Sequence, residues 1–99
     1  MEEIILDFDG CVNWLKKMTR SDKKRLLYSV DYACRGICEF IFNSEELPAI
    51  TVSYSLYRFE VIVTANLAVS RFYEEFSDLS SADEFIWRLH DILKDESLR

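Results

Sequence analysis

Between Asp22 and Asn43 apolar side chains recur at spacings of three and four. Leu26, Val30, Ala33, Ile37 and Ile41 form the row, and Leu27, Cys34 and Cys38 widen it. This is the wide apolar face of a helix lying across a core, with Ser21 as its expected N-cap. Before it, Glu3–Phe8 is short, branched and apolar and predicts a strand. Asp9-Gly10 breaks that strand, and Trp14, Leu15 and Met18 share one face of a short helix over Cys11–Thr19. After Pro48, which a helix interior does not accommodate, the period changes to two. Ile50, Val52, Tyr54 and Leu56 alternate with polar residues, as do Phe59, Val61, Val63 and Ala65. Two strands joined by a turn within Ser55–Arg58 are expected, with one long bent strand as the competing reading. Phe72, Phe76 and Leu79, at i, i+4 and i+7, predict a helix from about Ser70. Ser80-Ser81 interrupts it. Ser81 with Glu84 reads as the capping box of a last helix over Ala82–Asp95, lined inside by Phe85, Ile86, Leu89, Ile92 and Leu93.

The expected order is β-α-α-β-β-α-α in one domain of 99 residues. That is an α+β, two-layer architecture with a small, mostly antiparallel sheet packed against helices. Part of such a sheet, or one strand edge, is left open to a partner, and an open edge also suits a homodimer.

Composition narrows the class. Half of the residues (49%) are hydrophobic and only three are Gly or Pro, so the chain folds rather than staying disordered. Three cysteines, Cys11, Cys34 and Cys38, close no even disulfide framework and point to a reducing cytoplasm. Glu2 and Glu3 stand where a secretory signal would be basic, and no apolar run approaches the ~20 residues that span a bilayer. Neither a signal nor a membrane span is expected.

Charge changes the picture further. The net charge is −6, which argues against direct nucleic-acid binding by the domain as a whole and steers it toward basic partners. Lys16, Lys17, Arg20, Lys23, Lys24 and Arg25 hold six of the twelve positive charges, opposed in that stretch by Asp22 alone. The rest of the chain carries six positive and seventeen negative charges, a net of −11. The basic cluster is either a phosphate-holding patch or a solvated helix start. Basic residues at a helix N-terminus oppose the helix dipole, which gives the first reading some weight.

Several residues could carry chemistry. Ile4-Ile5-Leu6-Asp7-Phe8-Asp9-Gly10 resembles the first motif of the haloacid dehalogenase-like phosphatases, an apolar strand followed by D-x-D-G. The resemblance implies Asp7 as nucleophile, Asp9 as acid/base and a magnesium ion between them. It covers seven residues. The later Ser/Thr, Lys and second acidic pair of that family find no counterpart, and the plainer reading is a strand ending in a turn with Asp9 capping the next helix. Cys34 and Cys38, with Cys11 and His90, would make a zinc set only if folding gathered them. Small buried cysteines and a boundary histidine are the competing reading. No cofactor, metal site or catalytic set is expected.

Aromatics outside the apolar stripes point elsewhere. At about 100° per residue, Trp87 lies opposite the Phe85/Leu89/Ile92 stripe, among Asp83, Asp91 and Lys94. Tyr28 and Tyr32 fall outside the stripe of the long helix. Exposed Trp, Tyr and Arg anchor protein interfaces. Glu74, Glu75, Asp78, Asp83, Asp91 and Asp95 add a carboxylate surface that can imitate a phosphate backbone. These residues together describe a small acidic, non-catalytic protein. Its partner is expected to be a larger protein with a basic surface, a nuclease or another nucleic-acid-acting complex, which it inhibits or neutralises. Immunity proteins and phage-type inhibitors of host defence nucleases are examples of the class. A minimal phosphotransfer enzyme using Asp7 and Asp9, or a nucleic-acid module using Lys16–Arg25, are the alternatives.

Overall fold

A computed structural model describes residues 2–36 and 38–97. Its elements run β1 (Glu2–Ile5), α1 (Phe8–Lys16), α2 (Arg20–Gly36), β2 (Phe40–Asn43), β3 (Ala49–Tyr54), β4 (Arg58–Ala65), β5 (Ala68–Glu75) and α3 (Leu79–Ser97). The five strands form one mixed sheet in the order β1-β5-β4-β3-β2. β1 runs parallel to β5, and every other pairing is antiparallel. The chain starts at one edge, crosses through α1 and α2 to the other edge, and returns as a four-strand meander. The α+β class and the helix-packed sheet are as expected, whereas two of the expected helical stretches are strands.

The first difference is β2. The expected helix over Asp22–Asn43 stops at Gly36, and Phe40–Asn43 pairs with β3. Ile41 therefore leaves the helical stripe and lies 75% exposed on a strand. Ile37, expected on the same stripe, lies outside the described residues. The second difference is β5, which replaces the helix expected from Ser70 to Leu79. Phe72 and Phe76 share a face at a spacing of four, and that spacing satisfies a period of two as well as one of 3.6. The connection back from β4 is a two-residue loop, Asn66-Leu67, with φ of 50° and 66°. Positive φ at both positions is the hairpin turn whose twist matches the strands. The β3–β4 turn falls where expected, closed by Ser55, whose Oγ accepts from the N–H of Tyr57 and of Arg58.

Helix starts also move. Asp7 caps α1, its Oδ1 accepting from Gly10 N at 2.7 Å, so the helix begins before Cys11 and Asp9 falls in its first turn. Thr19, not Ser21, caps α2 through Asp22 N at 3.2 Å. Asp78, not Ser81, caps α3 through Ser81 N at 2.8 Å.

All three helices cover the same face of the sheet. The facing pairs Ile50/Val63, Val52/Val61 and Tyr54/Phe59 are buried beneath them. Phe59 is the centre, with Phe72 at 6.1 Å and Phe85 of α3 at 4.9 Å between ring centroids. Phe8 of α1 closes the cluster from the side, 5.6 Å from Phe85. The opposite face carries Ile5, Ile41, Ile62, Thr64 and Tyr73, with Arg71 held between Glu3 at 3.3 Å and Glu60 at 3.6 Å. No described element covers that face.

Candidate partner-binding surface

α2 and α3 lie antiparallel, as three ties along their length show. Lys23 pairs with Glu96 at 3.8 Å, Asp31 meets His90 at 3.1 Å, and the Cys34 thiol points at Ile86 O at 3.7 Å. His90 is only 7% exposed. Its Nε2 lies 3.1 Å from Asp31 Oδ1 and its Nδ1 lies 3.5 Å from Asp91 Oδ1, so both ring nitrogens face carboxylate oxygens. The other oxygen of Asp31 takes Arg35 Nη2 at 3.2 Å. The Trp87 ring stands edge-on to His90, with centroids 5.2 Å apart. Arg35, Asp31 and His90 thus fix the platform beside which Trp87 sits, while Trp87 itself stays 42% exposed.

Around Trp87 the outer face of α3 carries Glu84, Asp91 and Asp95 in the open and Asp83 half-covered. Arg88 flanks it on one side, drawn down over the Phe8 ring at 4.2 Å. These four carboxylates occupy about 18 Å of helix at 1.5 Å per residue. That is one charge per ~6 Å, roughly half the density of a single DNA strand at one per ~3.4 Å.

The expected site residues separate into three places. Asp83, Trp87, Asp91 and Asp95 share the outer face of α3. Tyr28 and Tyr32, both well exposed, line a shallow hollow on α2 with Asp31 and Arg35, so Asp31 is the link between the tyrosines and Trp87. Glu74 and Glu75 lie apart, at the end of β5, lining a second shallow hollow with Glu84 and Arg88. Tyr73 donates to Glu75 Oε1 at 3.0 Å, which holds the Tyr73 hydroxyl proton above its ordinary range. Asp78 caps α3, and the hydrogen bonds from Ser81 hold its carboxyl below the ordinary range. The Asp31–His90 pair joins residues 59 apart and has no signature in the sequence. The helical spacing of Asp31 and Arg35 was the one available signal.

The other candidates are also placed. Burial pushes the Cys11 thiol up to about 12, and burial with the charges of Asp31, Asp83 and Asp91 pushes Cys34 up to about 11. Both are core residues, and Cys38 is half-buried. Among the described residues, no three His, Cys, Asp or Glu side chains group as a metal site. The Tyr54 hydroxyl is buried without a hydrogen-bond partner among the described residues, and burial raises its titration above the usual range. The basic cluster is partly neutralised from within. Arg25 pairs with buried Asp22 at 2.8 Å and with Glu45 at 3.8 Å, Lys23 reaches Glu96, and Lys17 lies 4.5 Å over the Trp14 ring. Asp22 also offsets the conflict between basic side chains and the α2 dipole. No helix among the described residues is long and apolar enough to cross a membrane. Compared with protein-family models, curated proteins and solved structures, the chain finds no match.

Proposed function

We propose that this is a non-catalytic interaction protein of the cytoplasm, which docks the outer face of α3 on a basic, nucleic-acid-acting protein and blocks it. The observation that carries the reading is Trp87, an exposed indole among Asp83, Glu84, Asp91 and Asp95 on a rigid helix. An indole provides the apolar anchor that a carboxylate row lacks, and the carboxylates occupy the channel that would hold phosphates. Arg35, Asp31 and His90 hold the platform in place before binding, which limits the ordering cost on association. An immunity protein or a phage-type inhibitor of a defence nuclease works in this way. Tyr28 and Tyr32 lie beyond Asp31 on α2, outside this docking face.

The test is competition. A basic protein captured on the chain should lose its nucleic-acid binding or cleavage as the chain is added, at one fixed salt concentration, and should keep more of it when Trp87→Ala is added instead. Undiminished nucleic-acid activity in the complex would contradict blocking. Magnesium-dependent hydrolysis of a phosphate ester, abolished by Asp7→Asn, would overturn the non-catalytic reading.

A further inference from the structure

The two edges of the sheet are not alike. β1 offers Glu2 and Glu3, with Asp7 close behind, so two copies meeting there would crowd carboxylates along a short seam. β2 offers Phe40-Ile41-Phe42-Asn43, with no charge and no proline among them. Nor does it show the lysine or bulge that usually blunts an edge. Ser44 N donates to Ile50 O at 2.8 Å. In an antiparallel ladder the exchanging pairs then fall at Phe42/Val52 and Phe40/Tyr54. The backbone groups of Ile41 and Asn43 therefore point away from the sheet. One of them, the Asn43 carbonyl, also accepts from Arg25 at 3.3 Å.

We infer that the β2 edge joins a second copy of this chain, antiparallel and about a two-fold axis at Ile41, to make a continuous ten-stranded sheet. A two-fold perpendicular to the sheet keeps each face on its own side, so opposed residues must share a face. With the axis at Ile41, Ile41 opposes its own copy, Phe40 opposes Phe42, and Glu39 opposes Asn43. Shifting the axis to Phe42 sets Ile41 against Asn43 and Glu39 against Glu45, a like-charge pair. Charge and apolar matching thus select one register.

The helix above supports the same contact. Arg25 lies 4.9 Å over the Phe42 ring, which shows that this flank of α2 overhangs β2. Tyr28 and Tyr32 continue the Arg25 row at i+3 and i+7, 74% and 61% exposed. Two tyrosines of about 150–250 Å² each, with Ile41, supply around half of the ~800 Å² per partner that a standard interface buries. The strand backbone and Glu39, Phe40, Asn43 and Arg35 supply more. In the dimer all helices lie on one side and the Trp87 face stays outward.

The test is the mass of the purified chain in solution by sedimentation or light scattering. Wild type should be a dimer at tens of micromolar. Ile41→Lys, which sets two ammonium groups on the axis, should raise the dissociation constant about 100-fold or more with unchanged circular dichroism. Ile5→Lys on the β1 edge and Trp87→Ala should leave the dimer intact. Should Ile41→Lys fail to fold, the double variant Tyr28→Ser/Tyr32→Ser should weaken the dimer about tenfold. A monomeric wild type, a dimer untouched by Ile41→Lys or the tyrosine pair, or one lost with Ile5→Lys would each overturn the inference.

Discussion

Phe85 and Trp87 stand two positions apart on α3 and meet opposite surroundings. Phe85 reaches Phe8, Phe59, Phe72 and Phe76 within 6.4 Å between ring centroids. Trp87 meets the His90 ring edge-on and stays 42% exposed on the helix face that carries Asp83, Asp91 and Asp95. One ring is held by the fold, whereas the other is held out by it. Removing them should therefore damage different things, and the difference between stability and binding is the way to tell a core residue from an anchor.

The largest expected effect is on the inner side. Phe59→Ala empties the centre of the aromatic cluster and should cost about 3–5 kcal/mol of stability. In a domain of ordinary stability, roughly 5–15 kcal/mol, that is a large share. Trp87→Ala should cost less, about 1–2 kcal/mol, because 42% of the residue is already exposed. Urea unfolding of the two variants checks this, and equal losses would erase the distinction between the faces.

The next effect sharpens the comparison at its border. Asp31→Ala removes the partner of His90 Nε2 and of Arg35 while Asp91 stays 3.5 Å from Nδ1, and should cost about 1–2 kcal/mol. Asp31→Asn, which keeps an acceptor oxygen, should recover part of that loss. The same unfolding curves decide it. On the outer side, the triple change Asp83→Asn, Asp91→Asn and Asp95→Asn should slow association with a basic partner about tenfold and flatten its salt dependence, with dissociation little changed. Stopped-flow measurement at two salt concentrations separates the two rates. The smallest effect concerns the thiols. With Cys11 near 12 and Cys34 near 11, roughly a thousandth or less of either is thiolate at pH 8. A disulfide reagent should modify Cys38 well before the other two, and all three only after unfolding.

Much of the inner side was legible along the chain, and much of the rest of the sheet was not. The rows Leu26/Val30/Ala33 and Ile86/Leu89/Leu93, and the alternations of β3 and β4, identify their elements because many residues agree on one period. Phe72 and Phe76 fit a helix and a strand equally well. The turn before them, Asn66-Leu67, lacks the glycine that usually marks such a hairpin, so the spacing alone favours a helix there. Ile41 misled in the same way and hid β2. The outward position of Trp87 follows from its angle on α3. Its platform does not, since Asp31 and His90 are 59 residues apart and meet only because α2 and α3 run antiparallel.

The most direct measurement is affinity capture from lysate of the native host, with wild type and Trp87→Ala side by side and mass spectrometry of what each retains. One stoichiometric basic protein on the wild type, lost from the folded variant, is the expected result. Equal retention by both would contradict Trp87 as the anchor, and the absence of any partner would contradict the interaction role itself.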